Sequence, residues 1–125
     1  YDSEMNVVHK TANTRKECDA FRGSKYVQSD MGTIYKEVAD TLSSGQQLLF
    51  SGTPCQVAGL KEYLKSHRVD TTRLLTVDLV CHGAPSPKIW ADYILALEKK
   101  YHSDVETYTF RDNPSAGEAI LLESV

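Results

Sequence analysis

Hydrophobic positions along the chain change period several times, and each change marks an element. From Met31 the apolar residues recur at helical spacing, with Ile34, Val38 and Leu42 on one stripe beside Tyr35 and Ala39. Ser29 or Asp30 suits the start of that helix and Gly45 its end. Gln47 to Phe50 is a short apolar run of the kind that forms a buried strand, and Ser51-Gly52-Thr53-Pro54-Cys55-Gln56 follows it. Thr53 stands where an N-cap belongs, Pro54 at the first helical position, and Gln56 where a capping box takes Gln or Glu. Three start signals therefore agree on a helix that carries Val57, Leu60 and Leu64 on one face.

The same theme recurs downstream. Leu74 to Val80 reads as a second strand, ending in Cys81-His82-Gly83-Ala84-Pro85-Ser86-Pro87. Ser86 and Pro87 start a helix whose apolar set is Ile89, Trp90, Tyr93, Ile94 and Leu97, with Tyr101 beyond. Val105 to Phe110 reads as a third strand, Arg111 to Gly117 as a loop, and Ala119 to Val125 as a fourth strand. Ahead of these lie a strand remnant at Met5 to His9, a short helix capped by Asn13-Thr14 and running to Phe21, and a polar connection from Gly23 to Asp30. Strands alternating with helices give βαβ units, so the expected fold is α/β, a mainly parallel sheet with flanking helices. The expected layout is one domain over residues 1–125, with 1–23 closing a preceding segment. Both ends look cut, and the chain reads as a fragment of a longer subunit.

This topology has a consequence for chemistry. Cys55 and Cys81 each fall just past the carboxyl end of a strand, which places both on one rim of the sheet, where ligands of open α/β sheets bind. Cys55 is in the first turn of a helix, where unpaired N–H groups favour an anion, and the thiolate is the form that attacks or binds metal. A small cysteine packed under the turn is the plainer alternative. His82 can be a ligand, a proton donor or a hydrogen-bonded turn residue, and Gly83 lets the backbone bend or approach a ligand closely. Cys18, among Arg15, Lys16, Glu17 and Asp19, has no evident partner. Ser24, Lys25, Tyr26 and Ser29, ahead of a helix start, form either a collar for a phosphate or flavin edge or a capped surface loop. Trp90, Tyr93 and Tyr101 sit at helical spacing, as core residues do. Two cysteines on a rim name no metal, so zinc, iron–sulfur and a thiol nucleophile all remain open.

Composition narrows the classes. The 125 residues carry a net charge of −3, with basic residues scattered among acids, which argues against nucleic acid as partner. No apolar stretch approaches the ~20 residues of a membrane helix, and no export signal stands at the start. Three widely spaced cysteines make no disulfide framework, so a reducing, cytoplasmic setting is expected.

Three segments together resemble the coenzyme F420 hydrogenase/dehydrogenase beta subunits: Arg22 to Asp30 (RGSKYVQSD), Phe50 to Leu60 (FSGTPCQVAGL) and Asp78 to Pro87 (DLVCHGAPSP), with Phe110-Arg111-Asp112 similar to a strand end of the family. The resemblance implies a flavin- and iron–sulfur-dependent oxidoreductase that passes electrons between clusters, FAD and an acceptor, with coenzyme F420 as one candidate substrate. It implies Cys55 and Cys81 as ligands of a [4Fe–4S] cluster whose other ligands lie outside the chain. It also implies Ser24, Lys25, Tyr26, Ser29, Gly52, Thr53, Pro54, His82 and Gly83 as cofactor-binding residues. The implied partners are a ferredoxin-like domain or protein and other redox subunits. Two other readings compete: a thiol enzyme with Cys55 as nucleophile and His82 as base, and a zinc or cofactor-free interaction domain.

Overall fold

Local signals account for most of the elements in the computed structural model, which describes residues 1–113 and 117–123. In chain order they are α1 (Arg15–Asp19), α2 (Ile34–Ser43), β1 (Leu48–Gly52), α3 (Pro54–Ser66), β2 (Leu74–Asp78), α4 (Pro87–Tyr101), β3 (Asp104–Asn113) and β4 (Gly117–Glu123). They fall into two compact units, one of residues 31–83 and one of residues 1–30 with 84–125.

The 31–83 unit is a β–α–β unit with α2 added. β1 and β2 pair in parallel, Leu48 opposite Leu74 through Gly52 opposite Asp78. This is the expected α/β architecture, with a parallel sheet and flanking helices. Its core joins Ile34, Val38, Ala39 and Leu42 of α2 to Phe50 of β1 and to Val57, Leu60 and Leu64 of α3. Leu60 and Leu64 have 0% of their surface exposed and Val57 1%, so each is worth about 1.5–3 kcal/mol of burial. Because side chains alternate along a strand, Leu48 and Phe50 face this core while Leu49 points away, 60% exposed. On β2 the same rule leaves Leu75 61% and Val77 41% exposed. One face of the β1–β2 pair is thus covered by helices and the other is bare among the described residues.

Several expectations shift in detail. Helix α2 starts at Thr33, not at Ser29 or Asp30, and the Thr33 hydroxyl donates to Glu37 at 2.7 Å. Strand β2 stops at Asp78 because β1 ends opposite it at Gly52. Leu79 still donates its N–H to the Gly52 carbonyl, at 2.8 Å, whereas Val80 is 90% exposed.

In the other unit, Thr14 and Glu17 form the capping box of α1, and Ser86 Oγ accepts from Ile89 N–H at the start of α4. α4 buries Trp90, Ile94 and Leu97, the row at i, i+4 and i+7, against Met5, Val27, Val105 and Tyr108. Ile89 and Tyr93 lie on the adjacent row, at the margin of this core, where Tyr93 still meets Tyr108 edge-on with ring centroids 5.9 Å apart. Ile89 and Tyr93 are exposed, as is Tyr101, contrary to the expected apolar set. The Met5–His9 segment contributes one parallel bridge, Val8 to Asp30, rather than a strand. β3 and β4 form an antiparallel ribbon, Asp104 opposite Glu123. β3 runs to Asn113 and β4 begins at Gly117, so strand takes the ends of the expected 111–117 loop. Residues 114–116 and 124–125 lie outside the described residues.

Candidate functional site

The two cysteines occupy equivalent positions on one rim. Gly52 and Asp78 are register partners at the carboxyl ends of β1 and β2, and Cys55 and Cys81 each follow three residues later. Both thiols are free and exposed. On the first strand the turn is locked from within: Gln56 Oε1 accepts the Thr53 N–H at 3.0 Å, which closes one orphan donor of the α3 terminus. Gly52 is tightly packed here. A Cβ on it would stand 3.1 Å from both Gln56 Oε1 and the Phe50 ring.

Each sulfur has a polar neighbour two residues away in sequence. Thr53 Oγ1 lies 3.1 Å from Cys55 Sγ, and the Gly83 N–H donates to Cys81 Sγ at 3.3 Å. Gly83 adopts φ +115°, which turns its amide back onto the cysteine and is a conformation that side chains disfavour. A donor aimed at sulfur stabilises negative charge on it, and thiolate is the ligand form. The spacing of Thr53 to Cys55 and of Cys81 to Gly83 is visible in the sequence, yet nothing there marks it as a hydrogen-bonding pattern.

Tyr35 is a neighbour that sequence reasoning missed. Its hydroxyl donates to the Gln56 carbonyl at 2.9 Å, tying α2 to the first turn of α3. Burial raises the Tyr35 phenol above its ordinary value of 10.0, and the charge of Cys55 adds to the rise.

The remaining candidates divide. Pro54 opens α3, and His82 is exposed on the rim with no hydrogen bond among the described residues. Ser24, Lys25, Tyr26 and Ser29 belong to the other unit. There Lys25 Nζ donates to the carbonyls of Arg22 at 3.1 Å and Ala20 at 3.4 Å, and burial lowers its ammonium below the ordinary 10.5. Ser29 Oγ is 2.9 Å from His9 Nδ1. Tyr26 is exposed and meets Phe110 edge-on, with ring centroids 5.5 Å apart. Cys18 is exposed on α1. No group of three or more His, Cys, Asp or Glu side chains is arranged to hold a metal among the described residues.

A scan against protein families matches residues 45–123 to the family described as the C-terminal part of the coenzyme F420 hydrogenase/dehydrogenase beta subunit. The chain belongs to this family. The matched stretch includes β1, α3, β2 and both rim cysteines, and it makes the chain part of an oxidoreductase subunit associated with coenzyme F420 and other redox subunits. The Arg22–Asp30 segment precedes it. A search of the curated proteins and of the solved structures finds no significant match.

The donor set can be weighed against the cofactors such a subunit implies. Two exposed thiols with hydrogen-bonded sulfurs suit a thiolate-bound metal in general, and a [4Fe–4S] cluster takes four thiolates. The rim therefore fits half of a cluster's ligands. In a thiol enzyme the nucleophile contacts its base. Here Cys55 Sγ meets Thr53, and His82 reaches no partner among the described residues.

Proposed function

We propose that the chain is the electron-transfer part of a longer, cytoplasmic flavin- and iron–sulfur-dependent subunit, with Cys55 and Cys81 as two ligands of a [4Fe–4S] cluster. The observation that carries this reading is the equivalence of the two cysteines. Each stands three residues past one of two register-paired strand ends, exposed, with a polar neighbour at its sulfur. A bound cluster would supply one-electron chemistry and a bound FAD the link to a two-electron acceptor, for which coenzyme F420 is a candidate.

The chain's own residues hold and tune. Cys55 and Cys81 supply thiolates from the rim past β1 and β2. The Gly83 N–H donates to Cys81 Sγ, and the Thr53 hydroxyl lies within hydrogen-bond distance of Cys55 Sγ, so both stabilise charge on sulfur and favour the reduced state. Gln56 and Tyr35 keep the α3 turn, and with it Cys55, in place. Gly52 and Pro54 shape the floor of the turn, and His82 stands beside Cys81 as a polar rim residue. Ser24, Lys25, Tyr26 and Ser29 are assigned to the flavin. Lys25 then contributes through its hold on the Ala20 and Arg22 carbonyls, which fixes the loop. A ferredoxin-like domain or protein is the assigned electron partner.

Visible absorption of the longer subunit, prepared without oxygen, tests this reading. Flavin bands with a broad iron–sulfur shoulder are expected. A colourless protein with one alkylation-sensitive thiol would replace the reading by the thiol enzyme.

A further inference from the structure

The outer edge of β2 carries unused hydrogen-bonding capacity beside a basic groove. Leu48 N–H donates to the Arg73 carbonyl at 3.0 Å and Leu79 N–H to the Gly52 carbonyl at 2.8 Å. These two bonds fix the ladder: residues 73, 75, 77 and 79 turn their backbone groups toward β1, so Leu74, Thr76 and Asp78 turn theirs outward. The Leu74 N–H is taken locally by the Thr71 carbonyl. Thr76 and Asp78 face no further strand, because the sheet has only β1 and β2 among the described residues.

Along this edge runs an open groove of about 580 Å³, lined by Leu74 and Thr76 of β2, by Val69, and by Lys61, Lys65 and Arg68. Its lining is net basic, with Lys61, Lys65 and Arg68 against the single carboxylate of Asp70. Lys65 approaches Glu62 at only 3.7 Å, and Lys61 and Arg68 form no ion pair among the described residues. The acid in the lining, Asp70, is committed to Thr72, whose N–H and hydroxyl both donate to it at 2.9 Å.

We infer that this edge accepts an extended segment of a partner protein as a third strand, one in which acidic and apolar residues alternate. Alternation follows from the two faces. A strand added beside β2 turns every second side chain toward α3, where the cations stand, and the others toward the bare face of Leu49, Leu75 and Val77. The spacing matches as well. Lys61 and Lys65, four residues apart on α3, are separated by about 6 Å of helix rise. Alternate residues of a strand are about 6.6 Å apart.

The test uses a fluorescent peptide of alternating Glu and Val, followed by anisotropy against the 125-residue chain. Comparison peptides are an alternating Lys–Val version and a version with Glu and Val in separate blocks; a short single-stranded oligonucleotide is added as a non-peptide polyanion. The Glu–Val peptide is expected to bind, to weaken steeply with salt, and to lose about tenfold or more in affinity on Lys61→Glu/Lys65→Glu. Hydrogen exchange on the unsubstituted chain, which no folding defect can confuse, should show Thr76 and Asp78 amides slowed by the peptide. Equal binding of the block peptide, the Lys–Val peptide or the oligonucleotide would overturn the inference. So would no binding of the Glu–Val peptide, or unchanged exchange at Thr76.

Discussion

Replacing Gly59 by Ala sets two effects of similar size against each other, and the structure decides the sign. Gly59 lies inside α3, where Ala is better than Gly by about 1 kcal/mol. A Cβ there would stand 2.7 Å from the Tyr35 hydroxyl and 3.4 Å from the nearest ring carbons. The hydroxyl must retreat, and it then loses its 2.9 Å bond to the Gln56 carbonyl. Overpacking costs about 1–3 kcal/mol and the lost hydrogen bond about 0.5–1.5. The steric side wins, so Gly59→Ala should destabilise by about 1–3 kcal/mol. Tyr35→Phe alone should cost about 1 kcal/mol. In that background the hydroxyl is gone, and Gly59→Ala should become neutral or stabilising by up to about 1 kcal/mol. Chemical denaturation of the four chains, followed by circular dichroism, gives a coupling energy. It should exceed about 1 kcal/mol, well above the ~0.3–0.5 kcal/mol scatter of independent sites. Additive effects, or stabilisation by Gly59→Ala in the parent chain, would show that Tyr35 does not hold the α3 turn.

Other outcomes follow from the same coordinates. Leu60→Ala should cost about 2–5 kcal/mol, since Leu60 is fully buried, while Lys61→Ala should stay within about 0.5 kcal/mol; similar midpoints would mean that α3 presents another face to the sheet. Ser86→Ala removes the N-cap of α4 and should cost about 1 kcal/mol in a thermal melt, with no loss refuting the cap. Tyr35 has its folded value raised above 10.0, so the folded chain holds more protons than the unfolded one in the window just above that pH. Its contribution is complete below about pH 10 and lost as pH rises through the folded value. Stability should therefore fall more steeply above about pH 10 in the parent than in Tyr35→Phe, and matching alkaline slopes would contradict the burial of the phenol.

How far the sequence carries the structure differs from element to element. The turn at Thr53-Pro54-Cys55-Gln56 was readable because cap, proline and capping box are local and mutually consistent, and the buried face of α3 followed from period alone. Parallel pairing of β1 and β2 followed from the helix between them. The face of α4 was harder, because Ile89 and Tyr93 are as apolar as Trp90 and Ile94, and only the width of the covering core separates the rows. The bare face of β1–β2 was hidden for the same reason: Leu49, Leu75 and Val77 read as buried until the two-stranded sheet is seen with helices on one side. At the site, both cysteines were placed correctly past their strands. The donors to their sulfurs depend on φ at Gly83 and on the rotamer of Thr53, neither of which a sequence prints.

The central claim is that Cys55 and Cys81 ligate iron, and iron content tests it most directly. The longer subunit should be prepared without oxygen as the parent and as three single variants, Cys55→Ser, Cys81→Ser and Cys18→Ser, with iron and acid-labile sulfide measured per chain. Cys55→Ser and Cys81→Ser should each lose most of one cluster's iron together with its visible absorption, while Cys18→Ser keeps both. Full iron retained after loss of Cys55 and of Cys81 would contradict the ligand assignment.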